Sequence, residues 1–160
     1  MKRGRAKQNQ NERGTQVAEL AMVLPLLLFL GLAVTEGGGF VRAHQMLNNA
    51  AREGAKFSTL QTNQGDIPAI RDVVDTYLKN ASSTRLCVSA TGCAVSSPLA
   101  VVTVDQCVTI AMPSGPGKYA SQVDVSYAYQ LQYLPRLPWF NFPATVTLRG
   151  RATFVNFYGC

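Results

Sequence analysis

Histidine is almost missing from this 160-residue chain, which has His44 alone, and acidic residues number only nine. A Ser-His-Asp or Cys-His site needs an imidazole beside its nucleophile, and the scattered acids form no paired-carboxylate motif. No catalytic residue is assigned, and an enzyme is not expected. Cysteine is absent until Cys87; all four, Cys87, Cys93, Cys107 and Cys160, fall in the second half of the chain. A zinc site would show C-x-x-C pairs or added histidines, and neither is present. No metal or other cofactor is expected. An even number of cysteines confined to one part of the chain fits disulfides in an oxidising compartment. Four cysteines allow three pairings; Cys87 with Cys93 and Cys107 with Cys160 is the preferred set.

Charge is missing from one long stretch as well. From Val17 to Val34 the chain is apolar, with Glu19 its only ionisable residue. At 1.5 Å per residue this run spans about 27 Å, close to the roughly 30 Å of a bilayer's hydrocarbon layer. The net charge of +6 is concentrated ahead of it: Lys2, Arg3, Arg5, Lys7 and Arg13 oppose Glu12 alone, which leaves +2 for everything after Gly14. No basic recognition helix is present, so nucleic acid is not an expected partner. Positive residues before the run and few just after it place the N-terminus in the cytoplasm and the remainder outside a bacterial inner membrane. A cleaved secretory signal is a poorer fit, because the run is long, carries a glutamate near its start, and ends in Ala33-Val34-Thr35 followed by Glu36.

Residues 1–14 are polar and basic and read as a flexible leader; 15–58 form a long N-terminal helix including a transmembrane segment over 17–34; 59–160 form one extracytoplasmic α+β domain. Gly37, Gly38 and Gly39 predict a hinge or a fray, since glycine costs about 1 kcal/mol against alanine in a helix. Helical periodicity resumes with Phe40, Ala43, Leu47, Ala50, Ala51, Gly54 and Phe57 on one stripe, to about residue 58. His44 reads as a solvated helix residue. Asp66 is suited to cap a second, amphipathic helix, ending near Asn80, whose buried stripe is Ile67, Ile70, Val73, Val74, Tyr77 and Leu78.

Beyond it, alternation predicts strands over about 100–112, 122–133 and 145–158, with a shorter one near Thr84 to Ser89. The result is an antiparallel sheet of about four strands with one apolar face, which the helices must cover. Pro113 to Lys118 and Leu134 to Pro143 read as loops. Trp139, Phe140 and Phe142 in the second fit a docking surface, a membrane-interface contact or the edge of the core.

Gly14-Thr15-Gln16-Val17-Ala18-Glu19-Leu20 resembles a type IV prepilin processing site. A glycine follows a basic leader, and a glutamate stands fifth in the chain that would remain. The resemblance implies cleavage between Gly14 and Thr15 by a prepilin peptidase, and pairing of the Glu19 carboxylate with the new amine of Thr15 on a neighbouring subunit. A lone carboxylate in hydrocarbon needs such a partner. Val17 to Leu28, followed by Leu47-Asn48-Asn49-Ala50-Ala51-Arg52-Glu53-Gly54-Ala55-Lys56, is similar to the N-terminal domain of TadE-like proteins, minor pseudopilins of the Tad (Flp) tight-adherence pilus. Leu20 stands where phenylalanine is common, and the triple glycine where one glycine is usual.

The resemblance implies a pilin-like fold and a structural or assembly role in a Tad-type type IV pilus, built through the N-terminal helix. Its implied partners are other pilins, Tad assembly components and the inner membrane. The competing reading is a signal-anchored periplasmic binding or sensor domain unrelated to filaments.

Overall fold

A computed structural model describes residues 4–63, 65–82, 86–89, 98–112, 115–133 and 143–156; within these, the side chains of residues 4–14, Gln61, Ser82, Met112, Gly115 and Pro116 are not described. The order is a long helix α1 (Gly4–Ser58), a short 3-10 turn, a second helix α2 (Ile67–Ser82), and strands β1 (Val101–Met112), β2 (Gly115–Gln130) and β3 (Thr145–Val155). The architecture is α+β and pilin-like.

Helix α1 runs for 55 residues without interruption, through Pro25 and through all three glycines 37–39. This corrects the expected hinge. Downstream of the glycines the helix is held by a stripe on the sheet, where Ala43, Leu47, Ala50, Ala51 and Ala55 are buried, and that burial offsets the helical cost of glycine. The backbone of residues 4–14 is helical too, so this basic segment continues the helix. The packed stripe uses small residues for close approach. A Cβ on Gly54 would lie 2.6 Å from Val74 Cγ2 and 3.4 Å from Val123 Cγ1, so α1 meets α2 and β2 together at that point.

Helix α2 begins as its sequence predicts. Asp66 caps it, the Ala69 N–H donating to Asp66 Oδ1 at 3.0 Å, after a turn in which Gly65 takes φ +88°. Ile70, Val74 and Leu78 are fully buried at four-residue spacing, which fastens one face of α2 to α1; Ile67, at the first turn, is 37% exposed.

The described strands form one antiparallel meander in the order β1-β2-β3, three strands rather than about four. Leu86–Ser89 is not a strand: it is an irregular segment, joined to the sheet by the Ala100 N–H donating to the Cys87 carbonyl. Residues 83–85 lie outside the described part. Strand β2 starts at Gly115, so most of the expected 113–118 loop is paired, Ile110 with Lys118 and Met112 with Gly115. It ends at Gln130, short of the expected 133. Val102, Val123, Val125, Tyr127, Leu148 and Ala152 face the helices and are buried. The other face carries rows such as Thr103, Asp124 and Arg151, one residue from each strand, and Arg151 is ion-paired with Asp124.

The apolar helix and its junction with the folded domain

The folded domain covers only the second half of α1. Among residues 15–34 none is buried, and Val17, Leu20, Met22, Leu26, Leu28, Leu30 and Val34 are each more than half exposed. Helix α1 is long and apolar enough in this part to cross a membrane. Soluble proteins rarely expose apolar surface of this extent.

Gly14 lies in helical backbone, and Thr15 and Glu19 follow on the uncovered part of the helix, both exposed. Four residues apart, they share one helical face. The sequence motif is therefore a short exposed patch on a helix surface that α2 and the sheet, among the described elements, do not cover. His44 is exposed, and Glu53 pairs with Lys56 at 2.9 Å on the solvent side, an interaction worth little.

The junction contains a residue that sequence reasoning used only as an argument against signal cleavage. Glu36, two residues after the apolar run, is 5% exposed. Its two carboxylate oxygens accept from consecutive backbone N–H groups, Gln132 at 2.6 Å and Tyr133 at 2.9 Å. Accepting two amide N–H bonds satisfies a buried carboxylate without a cation. The signal was available: Glu36 precedes Phe40, Ala43 and Leu47 at spacings of four, three and four, in register with the packed stripe. Just beyond it Tyr129 crosses the helix. A Cβ on Gly39 would sit 2.7 Å from the Tyr129 hydroxyl, and the Phe40 and Tyr129 rings meet edge to face with centroids 5.8 Å apart. Of the three glycines only Gly39 is pressed by a neighbour; Gly37 and Gly38 have open space beside them.

At the other pole Ser58 and Ser121 form a buried hydroxyl pair. Ser58 Oγ donates to the Ala55 carbonyl, so the Ser121 hydroxyl is the donor between them. Cys87, buried beside α2, and Cys107, on β1, are both disulfide-bonded. Cys93 and Cys160 lie outside the described residues, and with them the expected pairing. Among the described residues no group of three or more His, Cys, Asp or Glu is placed to hold a metal ion.

Neither a curated protein nor a solved structure matches the chain. A family model described as TadE-like protein matches residues 14–56, from the glycine that opens the motif to the last full turn of α1. Through this segment, a little over a quarter of its length, the chain is similar to the TadE-like proteins.

Proposed function

We propose that the chain is a minor pilin or pseudopilin of a Tad-type type IV pilus, with a structural or assembly role rather than a catalytic one. In this reading it is inserted in a bacterial inner membrane with residues 1–14 in the cytoplasm, and a prepilin peptidase cleaves it between Gly14 and Thr15. It then associates with other pilins and Tad assembly components through residues 15–34 of α1. The observation that carries the reading is a coincidence of positions: the TadE-like match begins at Gly14, and the helix that follows is apolar and uncovered until Glu36.

Cleavage at Gly14 asks the helical backbone to unwind locally, because a protease takes its substrate extended. Glycine makes such unwinding cheaper than alanine would by about 1 kcal/mol, and it leaves the scissile bond uncrowded. Cys87 and Cys107, each disulfide-bonded, suit a domain that folds outside the cytoplasm; the preferred pairing remains Cys87 with Cys93 and Cys107 with Cys160.

Mass analysis of the N-terminus of membrane-extracted protein tests the proposal. Thr15 is the expected first residue, and Gly14→Val is expected to leave the leader attached. An intact leader in a strain with an active prepilin peptidase, or a start near Glu36, would overturn the pilin reading and favour an anchored sensor or an exported domain.

A further inference from the structure

Glu36 has the chemistry of a latch rather than of a solvent-facing helix residue. Its flanking residues Val34, Thr35, Gly37 and Gly38 are exposed, yet its own carboxylate is buried and committed to the backbone of Gln132 and Tyr133. These two residues lie just past the end of β2. The Leu131 N–H donates to the Ala144 carbonyl at 3.0 Å, so the chain entering β3 is drawn to the same end of the sheet. Strand β2 runs against α1 with Val123 beside Gly54 and Tyr129 beside Gly39. The end held by Glu36 is therefore the end nearest the apolar run.

Distance then decides what faces that end. Glu36 lies two residues, about 3 Å of helical rise, beyond Val34. The headgroup layer on one side of a bilayer is roughly 5–7 Å thick. With 17–34 in the hydrocarbon, groups hydrogen-bonded to Glu36 lie at headgroup depth. We propose that Glu36, by fixing Gln132 and Tyr133 against α1, seats this end of the folded domain directly on the lipid headgroup surface. The inference rests on the membrane-spanning reading of residues 17–34.

Among the described residues, Tyr133 is presented there and suits that surface. Tyr133 is 49% exposed, and a tyrosine with an apolar ring and a polar tip is a preferred residue at membrane interfaces.

The test places a single tryptophan at 133 (Tyr133→Trp with Trp139→Phe) in the full chain, reconstituted into phosphatidylcholine vesicles. Lipids brominated near the top of the acyl chain quench it if it sits at the interface. A tryptophan at 119 (Tyr119→Trp with Trp139→Phe), half-exposed at the far end of β2, is the reference. Quenching at 133 but not at 119 is expected, with Glu36→Ala abolishing it and shifting the emission to the red. Glu36→Gln, which keeps one acceptor oxygen, is expected to retain part of the quenching, and it decides the matter if Glu36→Ala does not fold. An unquenched Trp at 133 in chains that float with the vesicles after an alkaline wash overturns the seating while leaving the anchor intact. Quenching that survives loss of the Glu36 carboxylate overturns the latch. Failure to float removes the membrane-spanning reading, and the seating with it.

Discussion

Glycine has opposite meanings at different positions of this chain. A Cβ on Gly150 would lie 2.5 Å from the carbonyl carbon and oxygen of Leu47 and 2.7 Å from the Asn48 nitrogen. These are backbone atoms inside a helix, which have nowhere to go, so β3 crosses α1 at van der Waals contact only because residue 150 has no side chain. Gly150→Ala is expected to lower stability by about 3 kcal/mol, the upper end of the range for overpacking. Gly38→Ala, helical and with open space beside it, is expected to raise it by roughly 0.5–1 kcal/mol. Denaturant midpoints of the detergent-solubilised full chain check both, and a Gly150→Ala protein as stable as the parent would mean that β3 does not cross where described. The stripe on α1 was legible from Phe40 to Phe57 because it repeats within one helix. The pressure on Gly150 was not, because its cause, the backbone of Leu47, is a hundred residues away.

Among the elements, α2 shows what pattern reveals and what it hides. Its cap at Asp66 and its buried residues Ile70, Val74 and Leu78 follow from local rules and appear as expected. Asp75, on the same helix and outside that apolar stripe, is only 6% exposed. Its Oδ1 accepts from the N–H of Val88 at 2.8 Å and of Ser89 at 3.3 Å, and its Oδ2 meets Lys79 Nζ at 2.7 Å. These contacts hold the irregular Leu86–Ser89 segment, and the buried Cys87 within it, against α2. Similar reasoning explains the missed start of β2. Pro116 and Gly117 are turn residues locally, yet Gly117 sits where a Cβ would come within 3.3 Å of the Ile110 carbonyl oxygen, a close strand approach that only the paired structure reveals.

Burial pushes the Asp75 carboxyl upward, but the Lys79 hydrogen bond, the Val88 and Ser89 N–H groups and the Lys79 charge outweigh it, so the pKa lies below its ordinary value of 3.8. A depressed carboxylate pKa contributes stability above the unfolded value, and that contribution is lost as pH falls through the folded value. Asp75→Asn is therefore expected to cost about 1–3 kcal/mol at neutral pH, the range for disturbing a buried, hydrogen-bonded charged group. The gap between variant and parent should narrow only below about pH 4. Unfolding midpoints from pH 3 to 7 measure it, and a gap that is absent at neutral pH would show that the segment is held by other contacts.

The molecule as a whole divides at Glu36: one half of α1 is wrapped by a domain and the other half is bare. The bare half was legible from hydropathy and from the Gly14 to Glu19 spacing, since both are local. The abrupt division was not, because it depends on Gln132 and Tyr133 arriving from the far side of the sequence. What Glu19 does is read from that exposed half, because among the described residues it is exposed and not covered by the folded domain. A carboxylate inside a bilayer costs about 2.5 to 3.5 kcal/mol on insertion scales, and a monomeric anchor recovers none of it. A subunit that packs beside another recovers it when the carboxylate meets the amine of a neighbouring Thr15, in surroundings where an ion pair is poorly screened. Glu19→Ala is expected to leave insertion intact or ease it, to leave cleavage after Gly14 unaffected, and to stop or slow incorporation into a pilus. The measurement is surface piliation, with crosslinking of residues 15–34 to other pilins, in cells where the variant accumulates and is processed as the parent is. Unchanged piliation and unchanged crosslinks would mean that the carboxylate has no role in assembly, and that the bare half of α1 is an anchor for a domain acting alone.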